Sequence, residues 1–340
     1  INFGMVNQGI GVISIPAVGH GFGPNGRFQV REVDGTQSDI PLPGRGVDID
    51  NNGRIDDSEG CAAAPSTPFG LRDCLRQTTV DLLQLVRVLR AGLDVDGDGT
   101  PDFDPDQIYY AGQSLGALYG TMFMALDPTV QRAALNSGGG SVVDISRWSR
   151  TQRPQAIRNL ALRKPSLLNR DADFDDSYVL RNQPVKVVSD DAAIAIQNAL
   201  ETLEWLQAEG DPLSYAVHLK TSPLKGVPEK QILWQYALGD MTVPNPTQTA
   251  LVRHAGMKDS AWIYRNDVAR GRSPALDRNP HTYLTNLLGV AFPITGSVQA
   301  QMAAFLAGRT FDPNGPVQFF YGNIFEQPEE LPEGLNFLEQ

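Results

Sequence analysis

The chain is poor in the residue types that most often carry chemistry. Its 340 residues include 2 cysteines and 4 histidines. So few cysteines exclude a cysteine-rich disulfide or zinc scaffold, and four histidines leave little choice of general base. Basic residues are also scarce: 28 Lys and Arg stand against 39 Asp and Glu, a formal net charge of −11. That balance argues against nucleic acid as a partner, because phosphate binding needs clustered Lys and Arg. No stretch approaches the roughly 20 apolar residues of a membrane span. A secretory leader is missing too, and the sequence opens on Ile1 rather than Met, so the expectation is that residues were removed or lie upstream.

What remains is globular composition, 41% hydrophobic and 20% charged. The length can bury a large core, as one big domain with an insertion or as two modest ones. The acidity is concentrated. Asp48, Asp50, Asp56, Asp57 and Glu59 form one cluster, and Asp94, Asp96, Asp98, Asp102, Asp104 and Asp106 form another. These carboxylates equal the whole charge excess, a pattern that points to bound cation rather than to solubility alone. Cys61 and Cys74 enclose a short Pro-containing loop. A bond between them contributes about 3 kcal/mol in the chain-entropy model and fits an oxidising compartment, where calcium is also plentiful. Two buried thiols are the alternative.

Along the chain, Val12-Ile13-Ser14-Ile15 reads as a short buried strand that stops at Pro16. Residues 24–70 are rich in Gly, Pro and Asp and read as an excursion outside the core. Leu71, Leu75, Leu82, Val86, Leu89 and Leu93 recur at helical spacing. The run 107–111 is a strand leading into Gly112-Gln113-Ser114-Leu115-Gly116, and small residues (Gly116, Ala117, Gly120) line the helix that follows. Further strands are expected over 130–135, 232–237 and 261–264, with a capped helix from Asn245-Pro246 to Gly256. Strands alternating with helices predict an α/β fold, a mainly parallel sheet with helices on both faces. Between 142 and 228 the pattern turns helical, including 190–208, and reads as a lid inserted above a core formed by 1–141 and 229–340. Trp148, Leu160, Leu162, Leu167, Leu168 and Trp205 are candidate lining for an acyl pocket there, unless they simply pack in the core.

G-x-S-x-G between a strand and a helix has the context of a nucleophile turn, in which Gly112 and Gly116 spare collisions with neighbouring backbone. It lifts Ser114 to the strand's C-terminal end, where the N–H of Leu115 can receive developing negative charge. Serine needs a base. His254 lies inside a helix, His218 precedes a strand, and His20 comes before the nucleophile. His281, in Asn279-Pro280-His281 after the last strand, is the candidate. The orienting acid should follow a strand between the two, as Asp240 does. A second oxyanion donor has no clear source. Residues 19–23 are one possibility, but no buried strand over 24–70 completes that unit. The expectation is therefore that strand 12–15 adjoins the nucleophile strand and that the core's first strands and the second donor lie upstream of Ile1.

The order Ser114, Asp240, His281 resembles that of the α/β-hydrolases, from about residue 10 to 310. More narrowly, Leu71-Arg72-Asp73 with Arg76-Gln77, the Asp-rich loop before Gly112, Gly239-Asp240 with Val243-Pro244, and Leu331-Pro332-Glu333 resemble secreted or surface-anchored bacterial lipases and esterases, lysophospholipases among them. Gln113 and Ala117 stand where that superfamily often has His and Gly. The resemblance implies ester hydrolysis through an acyl-enzyme, with Ser114 attacking, His281 as base then acid, and Asp240 orienting it. It implies a secreted, periplasmic or cell-surface location and a small-molecule, lipid or polyester substrate. Peripheral lipid contact through the lid is expected, and no obligate protein partner is implied. An amidase, peptidase or thioesterase on the same scaffold is the alternative enzyme. An inert calcium-dependent adhesion module is the alternative of another class.

Asp48-x-Asp50-x-Asn52-Gly53, followed at the twelfth position by Glu59, matches an EF-hand calcium loop, with the Arg54 carbonyl and Asp56 completing the ligands. Asp94-x-Asp96-x-Asp98-Gly99 begins likewise, with the Thr100 carbonyl next, but Pro105 holds the twelfth position. Asp102, Asp104 or Asp106 would have to close that shell. One or two structural Ca²⁺ ions are expected.

Overall fold

The computed structural model describes residues 2–49, 51–55, 59–61, 69–162 and 190–337. Leu167 and Leu168 lie outside these residues. Among them are two sheets. The smaller is an antiparallel hairpin of β1 (Arg27–Arg31) and β2 (Gln37–Pro41), largely exposed and separate from the larger sheet. The larger runs in the order β3 (Tyr110–Gln113), β4 (Arg132–Asn136), β5 (Gln231–Ala237), β6 (Ala261–Tyr264) and β7 (Phe325–Glu326). Its first four strands are parallel and β7 is antiparallel to β6, so the fold is α/β with a mostly parallel sheet.

Helices cover both faces, which is why β4 and β5 are apolar almost without alternation. They are α1 (Asn2–Val6), α2 (Gly70–Arg90), α3 (Leu115–Leu126), α4 (Val142–Trp148), α5 (Arg153–Leu162), α6 (Asp190–Gln207), α7 (Pro212–Ala216), α8 (Asn245–Ala255), α9 (Asn266–Arg272), α10 (Phe292–Leu306) and α11 (Gln318–Tyr321). Successive strand residues serve opposite layers. Ala133, Leu135, Ile232, Trp234 and Tyr236 pack with Leu82 and Val86 of α2, Phe123 of α3 and Leu251 of α8. Ala134, Leu233 and Ala237 pack with Ile294, Val298 and Met302 of α10. Gly256 ends α8 in the left-handed conformation, as its place in the sequence suggests.

Residues 12–15 correct the expectation. They form no strand: Val12 is 43% and Ile13 36% exposed, and β3 is an edge of the sheet. An apolar, β-branched run marks a strand only when a ladder partner accepts it, and here Ile15 alone packs on the core. β3 also begins at Tyr110, later than Gln107. Within 142–228, Leu160 packs with Ile196, Ala199 and Leu200, while Trp205 is 76% exposed. Val142 and Ile145 pack on Leu75 and Met122, and Ala216 and Leu219 belong to the sheet's own core.

Asp211 ties the end of this helical stretch to its beginning. Its carboxylate accepts from Val142 N (2.6 Å) and, as the cap of α7, from Leu213 N (2.9 Å). Burial pushes this carboxyl up to about 6, against the pull of those two N–H groups. The folded state therefore holds a proton that the unfolded chain releases near 3.8, so this group's contribution is present below that value and is lost as pH rises to about 6. Urea unfolding of wild type and Asp211→Asn at pH 4 and 7 is expected to show a loss of about 2 kcal/mol in wild type that the variant lacks. Parallel losses in both proteins would refute this.

Candidate active site

The site begins with a backbone that serine does not choose. Ser114, between β3 and α3, has φ 54° and ψ −118°. Such a conformation costs about 1–3 kcal/mol for a non-glycine residue and persists only where packing imposes it. Two glycines make the packing possible. A Cβ at Gly112 would lie 2.4 Å from Gly116 O, and one at Gly120 would lie 2.3 Å from Tyr110 Cε1. Gly116, expected to share that role, would meet nothing closer than 3.6 Å; the close approach falls at Gly120 instead. The reason is the Tyr110 ring, which lies on α3 and donates its hydroxyl hydrogen to Gly116 O (2.6 Å). Burial holds that phenol well above its ordinary value, so it stays a donor. Ser114 N in turn donates to Asn136 O (2.8 Å) at the end of β4. Leu115, the first residue of α3, presents an N–H that has no acceptor within its own helix.

The three residues expected to act together stand in one row. His281 Nε2 is 2.8 Å from Ser114 Oγ, and its Nδ1 is 2.9 Å from Asp240 Oδ2 and 3.1 Å from Oδ1. Asp240 is wholly buried and His281 nearly so. A carboxylate facing Nδ1 calls for the hydrogen on that nitrogen, which leaves Nε2 free to accept from the serine hydroxyl. The other histidines stand apart in their own local contacts: His20 with Val18 O, His218 with Ser222 O, His254 with Ala250 O. Residues 19–23 pack against Cys61 and residues 44–46.

Sequence reasoning did not find the residues that hold this row. Asp240 Oδ1 accepts from Thr242 N (2.8 Å) and Val243 N (2.9 Å), and Oδ2 accepts from Gln248 Nε2 (2.9 Å). Asn279 Oδ1 accepts from Met241 N (3.0 Å) and His281 N (3.3 Å), while its Nδ2 donates to Thr242 Oγ1 (3.0 Å). The Asp240 loop and the His281 loop are thereby clasped. Gln113 Nε2 adds a bond to His281 O (3.1 Å), joining β3 to the His281 loop. Beneath the row, Asn136 Nδ2 donates to Tyr283 Oη (2.9 Å). Tyr283 is pushed well above the ordinary tyrosine value by burial, with the Asp240 charge adding to it. The sequence signal for Asn279 was its place before Pro280, which marks a cap; Asn279 Oδ1 does cap that turn.

The acidic loops are built differently. In the second, Asp94, Asp96 and Asp102 bring carboxylate oxygens within 4.8 Å of one another. Asp94 accepts from Gly97 N and Gly99 N, which hold its carboxyl below the ordinary range, and Asp102 Oδ2 accepts from Val95 N (2.6 Å). Asp98 is occupied with Thr100 N, and Asp104 with Asp106 N and Gln107 Nε2. Asp102 is thus the residue that folds back where Pro105 cannot. In the first loop, Asp48 accepts from Asn52 N (3.1 Å) and Gly53 N (2.8 Å), Asn52 Oδ1 from Arg54 N (2.8 Å), and buried Glu59 from Ile49 N (2.6 Å). Asp50 and Asp56 lie outside the described residues. Cys61 and Cys74 form a disulfide with Cα atoms 5.9 Å apart, fastening this excursion to α2.

No family model matches the chain, and no curated protein does. Among solved structures, it is similar to the crystal structure of the putative non-heme bromoperoxidase BpoC from Mycobacterium tuberculosis H37Rv. The two are 15% identical over 59% of this chain and 67% of that one, with a TM-score of 0.27. A likeness that slight adds nothing to the geometry above.

Proposed function

We propose that the chain is a serine hydrolase of the α/β-hydrolase type that cleaves carboxylic esters through an acyl-enzyme. The observation that carries this reading is the unbroken row from Asp240 through His281 to a Ser114 hydroxyl lifted on a left-handed turn. Ser114 Oγ attacks the ester carbonyl carbon as His281 Nε2 takes its proton. The tetrahedral oxyanion draws on the Leu115 N–H at the start of α3. His281 returns the proton to the departing alcohol, leaving an acyl group on Ser114. Water then attacks the acyl carbon as His281 Nε2 takes its proton; the bond to Ser114 Oγ breaks, His281 returns the proton to that oxygen, and the acid leaves. Asp240 orients the imidazole and offsets the charge that forms on it. The described helices α4, α5 and α6 belong to a lid over this site in our reading, and the disulfide fits a location outside the reducing cytoplasm.

A panel of chromogenic esters of increasing chain length tests the reading, with an amide and a thioester alongside. Wild type is expected to turn over esters in preference to the other two, and Ser114→Ala to lower kcat about 10⁴-fold or more. Equal turnover by the variant removes Ser114 from the mechanism, and preference for the amide or thioester replaces the substrate class.

The acidic loops suit Ca²⁺, because they offer only oxygens and Asp94, Asp96 and Asp102 already converge. Asp48, Asn52, the Arg54 carbonyl and Glu59 would hold a second ion with Asp50 and Asp56. Among the described residues neither loop bonds to the proposed triad, so we read the role as structural. Chelation of protein shown by metal analysis to hold Ca²⁺ is expected to lower Tm by roughly 5 °C or more, with intrinsic ester chemistry little changed. An unchanged melt would count against bound cation as a stabiliser.

A further inference from the structure

The amides around the buried carboxylate are oriented by backbone. Gly239 N donates to Asn245 Oδ1 (2.9 Å), which identifies that atom as the acceptor end of the side chain. Its Nδ2 end then donates to Ala237 O (2.8 Å), the last carbonyl of β5, and to Gln248 Oε1 (3.0 Å). With Oε1 engaged, Gln248 can only turn Nε2 toward Asp240 Oδ2, 2.9 Å away. Asn245 and Gln248 sit one turn apart at the start of α8, and both are buried. Asn336, from near the end of the chain, donates to Asn245 Oδ1 as well (3.1 Å). The end of a strand thus decides, through two side chains, which atom meets the carboxylate.

We infer that Gln248, held in orientation by Asn245, is a positioning residue for the proposed hydrolysis, a role that rests on the ester-hydrolase reading. Its donor completes a set of four around Asp240: Thr242 N, Val243 N, Gln248 Nε2 and His281 Nδ1. A carboxylate surrounded by donors can only accept. Every contact it makes therefore favours the imidazole form with hydrogen on Nδ1 and a lone pair on Nε2 facing Ser114. Loss of the Gln248 donor leaves Oδ2 with His281 alone, and only the two N–H bonds at Oδ1 then resist rotation of the carboxylate. The ionisable groups near this contact are Asp240, His281 beyond it, and Tyr283 of the same loop, whose phenol feels the Asp240 charge. Arg253, further along α8, is turned to Glu333.

Gln248→Glu and Gln248→Leu in the full chain separate positioning from mere structure. The glutamate variant is nearly isosteric. Protonated, its carboxyl can donate to Oδ2 as the amide does; ionised, it sets like charge against Asp240. Expected is kcat/KM on a soluble ester within about threefold of wild type near pH 5, then a fall of at least about tenfold as the introduced group ionises. Wild type instead rises to a plateau. The leucine variant is expected to lose about 10- to 100-fold in kcat at every pH, with KM within about twofold. A second readout does not depend on turnover: the His281 Nδ1 proton resonance, identified by its absence in His281→Ala, should move or broaden in Gln248→Leu. Variants whose pH profiles keep the wild-type shape, with that resonance unmoved, overturn the inference and leave Gln248 a packing residue. A wild type that hydrolyses no ester would instead refute the functional reading, while the resonance would still decide the positioning role.

Discussion

Ser114 occupies a backbone conformation that serine adopts only under compulsion, and the neighbouring architecture is arranged to supply that compulsion. The Tyr110 ring lies against α3, its hydroxyl gripping the Gly116 carbonyl, and the absent side chains of Gly112 and Gly120 let strand and helix approach. A cost of about 1–3 kcal/mol is thereby absorbed in packing, and the hydroxyl is left at the end of the strand rather than in it. Adding one carbon at either glycine would bring it within 2.4 Å of a neighbouring atom, so the turn and the helix packing stand or fall together.

Lifting a hydroxyl does not by itself bring His281 against it. Here the holding is done by loops that bond to one another. Asn279 joins the Asp240 loop to the His281 loop, Gln113 joins the His281 loop to β3, and the start of α8 grips the Asp240 carboxylate from behind. Each bond is modest alone, of order 1 kcal/mol, but those around Asp240 are buried, where an unmet partner is costly. Rigidity of the row follows from this mutual satisfaction, and a carboxylate with only donors around it holds the imidazole in one tautomer.

Much of the architecture was legible in the residues. Period-3.6 leucines located α2, apolar runs located β4, β5 and β6, and the Asn-Pro start and Gly256 end bounded α8. The row was legible too, because four histidines leave few choices and Asp240 follows an apolar strand. What escaped needed knowledge of neighbours. Residues 12–15 carry the side chains of a strand but lack the ladder that would make them one. Gly116 looked like the sterically required glycine of α3, whereas the Tyr110 ring, six residues earlier in sequence, places that demand on Gly120. Gln248 reads as one more polar residue in a helix, since nothing local announces that Asn245 is turned by Gly239 N. Trp205 reads as a pocket residue by composition and lies on the surface. In the second acidic loop the spacing broke at Pro105, and only the fold reveals that Asp102 turns back toward Asp94 and Asp96.

In the proposed chemistry Ser114 is a nucleophile because His281 makes it one. Treatment with a fluorophosphonate, followed by peptide mapping, examines this without knowledge of the natural substrate. One phosphonyl group per chain, on the peptide carrying Ser114 and missing when His281 is replaced by alanine, is the outcome expected. A protein that stays unmodified, or reacts elsewhere with Ser114 untouched, would contradict it.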